Sequence, residues 1–360
     1  MSSVREYRFV PFERVVIGRG AFAGLSGQIE RLGGRRALIL AGSTFEAGSD
    51  LVERAERMLG DRWAGTWSEA SERPPPAEAD LIVSLGSGID SAQRAALDLL
   101  GDGPGQGLPQ IAIPTSLASD EFAPAPKGTG RATGPGGVRH RRGRVPEVVL
   151  LDPEVTAATP ARVWSFTGIE ALAHAVECLW SPDAHPVTDT FALDAVRRLD
   201  RDLRASLEPD KLEARLQCQI GAWMAAFGVL DVGERLGSPL ARQIGARFGV
   251  PLGIACGIVL PPLMRFLAPQ TLDAQARVAA ALGIAGGGRS PGQQAALAGD
   301  SVEALIGTLA LPQRLREVGA DRAGLGEVAR GVARKLGQVG SPDAERASED
   351  RLLGLLEEMW

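Results

Sequence analysis

The sequence predicts an α/β protein in which a doubly wound parallel sheet precedes an all-helical region. Between Arg14 and Asp152, short uninterrupted apolar runs alternate with glycine turns and helical patterns, as in sheets whose strands are buried on both faces. Beyond about Glu154, strand-like runs largely vanish and amphipathic helical patterns take over. We therefore predict an α/β domain at residues 1–154 and a helical domain at 155–360.

Five strands and three helices are predicted in the first domain. The strands are 14–18, 37–41, 80–85, 110–114 and 148–151, and the helices are 25–32, 50–59 and 90–100. The stretch 124–144 is rich in Gly, Pro and Arg and is predicted to be a long loop. Eight helices are predicted in the second domain, at 167–180, 186–207, 211–230, 235–248, 271–283, 301–310, 323–336 and 348–359.

The composition is typical of a soluble protein with a sizeable core. The 360 residues are 44% hydrophobic and 23% charged, and the formal net charge of -5 offers no basic footprint for nucleic acid. The three cysteines form no Cys-x-x-Cys pair, which suits a reducing compartment. The polar start of the chain has no apolar signal region, and Gly257, Pro261 and Pro262 interrupt the longest apolar run. We predict a cytoplasmic protein without a membrane or nucleic-acid partner.

Two glycine- or hydroxyl-rich turns follow neighbouring predicted strands. Gly86-Ser87-Gly88-Ile89-Asp90 opens a predicted helix, where backbone N–H groups can hold a phosphate; the alternative is a plain turn capped by Ser87 or Asp90. Pro114-Thr115-Ser116 follows the next strand and is expected at the same sheet edge, where open α/β sheets bind ligands. The alternative for Thr115 and Ser116 is a local hydroxyl-backbone turn.

Glu170 and His174 are the most suggestive pair in the helical region. Four residues apart on a predicted helix, they lie on one face, one turn apart. A carboxylate and an imidazole presented together form half of a metal site or an acid/base pair, and a hydrogen-bonded structural pair is the alternative. The chain has only two other histidines, His140 and His185.

Several motifs occur in one order along the chain. They are 86–90, 114–116 with Glu121, 149–153, 167–177 around Glu170 and His174, 185–189, 245–251 and 260–261. Together they resemble those of the iron-containing (group III) alcohol dehydrogenases, particularly the maleylacetate reductase-like branch. The resemblance implies a dinucleotide-binding domain, a helical domain, an active-site cleft between them, NAD(P) chemistry and a homodimer.

The resemblance also implies a metal site of one Asp and three His, and this chain departs from it. Glu170 stands at the Asp position and His174 at the first His, but Ser238 and Leu252 stand at the other two, and Arg242 replaces a further catalytic His. Leucine has no donor atom and a serine hydroxyl is a poor ligand for a divalent transition metal. We therefore predict no bound catalytic iron or zinc.

The nucleotide-binding motif of the family is also altered. Ser84-Leu85-Gly86-Ser87 stands where the family shows Gly-Gly-Gly-Ser, and Leu85 is expected to put a branched side chain where backbone approaches a pyrophosphate. Gln93 replaces a frequent lysine, and the segment between residues 64 and 80 is short enough to have lost a helix. The predicted cofactor-binding residues are Gly86, Ser87, Asp90, Thr115 and Ser116, in a weakened NAD(P) site.

These residues predict a metal-independent, NAD(P)-dependent oxidoreductase acting on a small anionic carbonyl or alcohol substrate. Arg242 would polarise a carbonyl or bind a carboxylate, His174 would transfer the proton, and Glu170 would orient His174 or bind substrate. Two alternatives remain open. One is a non-redox lyase, isomerase or cyclase on the same scaffold, and the other is a catalytically inactive homologue.

Overall fold

The computed structural model describes residues 12–42, 49–68, 78–86, 108–122, 145–233, 235–338 and 340–360. They form two compact units. The sheet unit contains the described residues up to Trp164 together with Ser206–Ile220, and the helical unit contains Ser165–Ala205 and Gly221–Trp360. The domain boundary between residues 154 and 155 stays a prediction. The predicted loop at 124–144 lies outside the described residues.

In the part of the chain that the structure describes, six parallel strands form the sheet. They are β1 (Arg14–Ile17), β2 (Ala37–Ala41), β3 (Trp63–Ser68), β4 (Leu81–Gly86), β5 (Gln110–Pro114) and β6 (Val148–Leu151). Their order is β1-β6-β5-β4-β2-β3, and every neighbouring pair is parallel. The predicted fold class and its five strands are confirmed. The sixth strand, β3, lies where we expected only a shortened connection.

Strand β2 shows why the central strands read as continuous apolar runs. Ala37 and Ile39 belong to the main core, whereas Leu38 and Leu40 belong to a second cluster with Ile82. Successive side chains of a strand point to opposite faces, so a strand covered on both faces needs apolar residues throughout. The helices α1 (Leu25–Arg31) and α2 (Leu51–Leu59) contribute to the main core.

Eight helices follow the sheet strands. They are α3 (Ala161–Leu179), α4 (Pro186–Asp202), α5 (Leu212–Val232), α6 (Gly237–Phe248), α7 (Leu252–Ala281), α8 (Pro291–Thr308), α9 (Leu325–Gln338) and α10 (Glu349–Met359). The predicted helix at 271–283 is the part of α7 after a kink at Thr271, and the part from Leu252 to the kink was not predicted. Helix α8 begins 10 residues before the predicted start at 301, α3 begins six residues before the predicted start at 167, and α4 ends five residues before the predicted end at 207. The other predicted helices match these bounds closely.

Helix α7 is long and apolar enough to cross a membrane by length and composition alone. Its most apolar stretch has a mean hydropathy of 1.6, and 72% of that stretch is buried inside the structure. Burial of this extent is typical of the central helix of a folded core. We therefore assign α7 to the core of the helical unit.

Candidate functional site

One side of α3 carries the predicted acid and imidazole. Phe166, Glu170, His174 and Glu177 fall within a sector of about 80° when viewed along the helix axis, because each residue turns the helix by about 100°. Glu170 is buried, with 6% of its surface exposed, and His174 is half-buried. The prediction that Glu170 and His174 share one helix face is therefore met by the helix bounds.

The start of α7 is held against the first residue of this stripe. A Cβ atom at Gly253 would lie 2.3 Å from the carbonyl oxygen of Phe166 and 2.7 Å from its carbonyl carbon. Only a glycine allows the two backbones to approach so closely. Leu252, which precedes Gly253, therefore lies near the end of α3 that carries Phe166, one turn before Glu170.

The start of α6 is held against the other end of the stripe. A Cβ atom at Gly237 would lie 2.2 Å from a carboxylate oxygen of Glu177. The next residue, Ser238, is 3% exposed, and its hydroxyl has no hydrogen-bond partner among the described residues. Ser238 and Leu252 thus flank the Glu170–His174 face from opposite ends.

These two contacts fix the direction of α6. It begins beside Glu177, and only Gly249 to Pro251 separate its end from α7, which begins beside Phe166. The segment from Phe166 to Glu177 and the helix from Gly237 to Phe248 each advance eleven residues, about 16 Å. Helix α6 therefore runs antiparallel to this part of α3.

Arg242 lies in the middle of α6. It is half-buried and follows Ser238 by four residues, so the two side chains share one face of the helix. The three predicted catalytic residues thus lie on two neighbouring helices of the helical unit, and their chemical roles stay predictions.

The residues at the family's metal positions do not fit a transition metal. Glu170 offers a carboxylate and His174 an imidazole, whereas Ser238 offers a hydroxyl and Leu252 only hydrocarbon. Across the described part of the chain, no group of three or more His, Cys, Asp and Glu side chains is arranged to hold a metal ion. Two strong ligands do not complete a tetrahedral or octahedral site.

Cys178 lies one turn beyond His174 on α3. It is fully buried, and burial, with a smaller contribution from the nearby Asp189 carboxylate, raises the pKa of its thiol to about 12. A buried thiol with this pKa holds almost no thiolate near neutral pH, and only the thiolate is a good nucleophile. We assign Cys178 to packing.

Because Cys178 stays protonated, we expect no alkylation of the native protein at this residue by iodoacetamide at about pH 8, where free cysteine reacts. Peptide mass spectrometry after a short pulse measures it. The same pulse in urea should modify Cys178 fully, which is the control. Native modification at the rate of an unfolded peptide would show that the residue is accessible and contradict the assignment.

In the sheet unit, the carboxyl ends of β4 and β5 bring two predicted cofactor residues together. Gly86 pairs with Pro114, and the N–H of Thr115 donates to the Gly86 carbonyl oxygen at 3.0 Å. Gly86 has a φ of +138°, which favours glycine and leaves no side chain at the strand end. The Ser116 hydroxyl accepts a hydrogen bond from the N–H of Ala118, the local turn that we considered as the alternative.

The Leu85 side chain does not project at this edge. It is fully buried in the main core together with Val83 and Ile113, on the face that α1 and α2 cover. Gly86 rather than Leu85 is therefore the residue that terminates β4, and the prediction of a weakened NAD(P) site stays a prediction. Ser87, Asp90 and Gln93 lie outside the described residues.

Sequence reasoning missed the residues that hold the site together. Gly237, Gly253 and Glu177 were not assigned roles, although a glycine at the first or second position of two successive helices was a readable signal of close helix approach. Thr159, whose hydroxyl donates to the Thr115 carbonyl oxygen at 2.8 Å, carried no signal in the sequence.

Comparison with known proteins identifies the family. Residues 165–360 match the model of the C-terminal region of the Fe-containing alcohol dehydrogenase family. A maleylacetate reductase from Burkholderia cepacia is 31% identical over 326 residues, covering 86% of this chain and 88% of that protein. Maleylacetate reductase 2 from Cupriavidus pinatubonensis is 32% identical over 293 residues, covering 76% of this chain and 77% of that protein.

A solved structure agrees over the whole chain. The crystal structure of maleylacetate reductase from Rhizobium sp. superposes with a TM-score of 0.78 at 26% identity, covering 99% of this chain and 97% of that one. The resemblance stated from the motifs is therefore confirmed. The chain belongs to the iron-containing alcohol dehydrogenase family and is an alcohol dehydrogenase/maleylacetate reductase-like oxidoreductase.

Proposed function

We propose that the protein is an NAD(P)-dependent oxidoreductase that reduces a small anionic carbonyl compound without a catalytic metal. The observation that supports the proposal is an arginine, Arg242, on the helix whose start contacts Glu177 of the helix that carries Glu170 and His174. Arg242 supplies a permanent cation at the position where the family has a further catalytic histidine.

Maleylacetate is the substrate that we propose to test first. The relatives from Burkholderia cepacia and Cupriavidus pinatubonensis carry the name maleylacetate reductase. This compound combines a ketone with two carboxylates, so it offers both an oxygen that gains negative charge on reduction and anionic groups that a guanidinium binds in a bidentate manner. The substrate class follows from the match between these groups and Arg242.

Each of the three residues has a chemical task in this proposal. The Arg242 guanidinium stays protonated at any working pH and either stabilises the developing negative charge on the carbonyl oxygen or binds a substrate carboxylate. His174 donates the proton that completes the reduction after hydride transfer, a task that suits an imidazole near neutral pH. The buried Glu170 carboxylate orients the imidazole or binds substrate.

The nucleotide would be held at the carboxyl edge of the sheet. Gly86 leaves the end of β4 without a side chain, Thr115 ties the two strand ends together through its backbone, and Ser116 adds a hydroxyl; Ser87 and Asp90 complete the predicted set. Bound NAD(P)H supplies the hydride. The contribution of the chain is to hold the nucleotide by backbone groups at a strand end that carries no side chain.

Metal removal tests this function. We expect purified protein to oxidise NADH or NADPH when maleylacetate is added, at a rate that dialysis against EDTA leaves unchanged, while elemental analysis finds far less than one transition metal per chain. Activity lost on chelation and regained with iron or zinc would overturn metal independence.

Absence of both nicotinamide oxidation and nucleotide binding by calorimetry would overturn the redox function. Substrate turnover without nicotinamide oxidation would favour a lyase, isomerase or cyclase.

A further inference from the structure

Thr159 lies in the sheet unit, in the segment between β6 and α3. It is 2% exposed, and its hydroxyl donates to the carbonyl oxygen of Thr115 at 2.8 Å. Forty-four residues separate the two threonines in the sequence. The bond therefore joins the segment after β6 to the turn after β5.

The hydrogen bond from Thr159 is accepted by Thr115, and Thr115 is also hydrogen-bonded to Gly86 in the other predicted cofactor-binding turn. The N–H of Thr115 donates to the Gly86 carbonyl oxygen at 3.0 Å, and Thr115 is fully buried. One backbone residue thus links the end of β4 on one side and Thr159 on the other. A shift of Thr115 would change the spacing between Gly86 and Ser116.

Thr159 is itself held by a buried polar network. A single 3-10 turn (Val155–Ala158) precedes it, and its N–H donates to the Thr156 carbonyl oxygen at 3.0 Å. The buried Arg215 donates to the same carbonyl oxygen at 2.9 Å and to the Thr156 hydroxyl at 3.1 Å. Its guanidinium also lies over the Trp164 ring, 4.7 Å from the centroid. Burial of these groups away from water makes the arrangement rigid.

We propose that Thr159 is a positioning residue for NAD(P). By donating to the Thr115 carbonyl, its hydroxyl sets the distance between Gly86 and Thr115–Ser116 at the carboxyl edge of the sheet, where backbone meets the nucleotide. The proposal rests on the proposed function, because it presupposes that a nucleotide binds at this edge. Thr159 touches neither substrate nor nucleotide and acts through Thr115.

Thr159→Val tests the proposal, because valine keeps the shape and removes the donor. We expect the dissociation constant and the KM for NAD(P)H to rise about fivefold to tenfold, the equivalent of one lost hydrogen bond, with kcat at saturating nucleotide changed less than about twofold. Thr159→Ser keeps the hydroxyl and should restore the wild-type KM. Calorimetry gives the dissociation constant independently of turnover.

Thr188→Val is the matched control. Thr188 is a fully buried threonine in the helical unit whose hydroxyl donates to the carbonyl oxygen of His185 at 2.9 Å. This variant should lose thermal stability to a similar extent while its affinity for NAD(P)H stays at the wild-type value. A nucleotide effect seen with Thr159→Val alone therefore separates positioning from general destabilisation.

Each outcome decides between the two proposals. Wild-type affinity for NAD(P)H in Thr159→Val, with or without a lower Tm, would overturn the positioning role and leave the proposed function intact. No NAD(P)H binding by the wild-type protein would overturn both. If Thr159→Val does not fold, Thr159→Cys retains a weak donor at the same place, and the role requires its KM for NAD(P)H to lie above that of Thr159→Ser.

Discussion

Replacement of Arg242 by methionine should lower kcat/KM for maleylacetate reduction about 10²- to 10³-fold, the equivalent of about 3–4 kcal/mol of transition-state stabilisation. Methionine keeps an unbranched apolar stem but removes the guanidinium that we propose to act on the substrate carbonyl or carboxylate. Because Arg242 is half-buried rather than a core residue, the fold should tolerate the change. Steady-state oxidation of NAD(P)H, with Tm measured in parallel, checks the effect.

Two further variants decide what the arginine does. Arg242→Lys keeps the charge and loses the planar fork, so an intermediate loss of about tenfold indicates bidentate binding, and near-complete retention indicates a point charge. Arg247→Met is the control on the same helix, because Arg247 is an exposed residue in surface ion pairs with Asp321 and Glu327. Surface pairs contribute little, so this variant should keep activity within about twofold. Equal activities for Arg242→Met and Arg247→Met would remove Arg242 from the mechanism.

Most strands of the sheet could be predicted from sequence because each one is marked by its own run of apolar residues. Strands such as β2 and β4 are covered on both faces, so their apolar runs are uninterrupted and bounded by glycine turns. Strand β3 could not be recognised, since it lies at the edge of the sheet and its residues are only partly buried. Pairing with β2, rather than the apolar pattern of its own residues, makes β3 a strand.

Helix α7 shows how tertiary structure overrides local signals. Pro261, Pro262 and Pro269 lie inside it, and each removes a backbone donor that a helix normally uses. The predicted start at residue 271 coincides with the one interior residue of non-helical backbone, Thr271, whose hydroxyl donates to the Leu267 carbonyl oxygen at 2.8 Å. The Thr271 hydroxyl thus supplies a side-chain donor to the hydrogen-bond series of the helix. The periodicity of apolar residues does not predict such a donor.

The candidate site was predictable in part. The spacing of Glu170 and His174 fixed their common face, and the family motif pointed to Ser238, Arg242 and Leu252 as departures from the metal set. What positions the three helices is the approach of α7 to the Phe166 backbone and of α6 to the Glu177 side chain, which depends on pairs far apart in the chain. The order of the motifs alone carried no information on that approach.

The contact between Gly253 of α7 and Phe166 of α3 leads to a prediction about stability. A methyl group at Gly253 would lie 2.3 Å from the Phe166 carbonyl oxygen, a backbone atom that cannot turn away as a side chain can. Gly253→Ala should therefore lower the free energy of unfolding by about 2–3 kcal/mol and reduce activity by displacing the turn that precedes Glu170. Urea unfolding followed by circular dichroism measures the change.

Gly257→Ala provides the matched comparison on the same helix. A Cβ atom there would meet the Ile169 side chain at 3.4 Å, an ordinary contact, and alanine is the better helix former by roughly 0.5–1 kcal/mol. This variant should be as stable as the wild-type protein or slightly more so. If Gly253→Ala were equally stable, the α3–α7 contact would be looser than the structure shows. The position of Leu252 beside the Glu170–His174 face, and with it the structural argument against a metal at that face, would then lose its support.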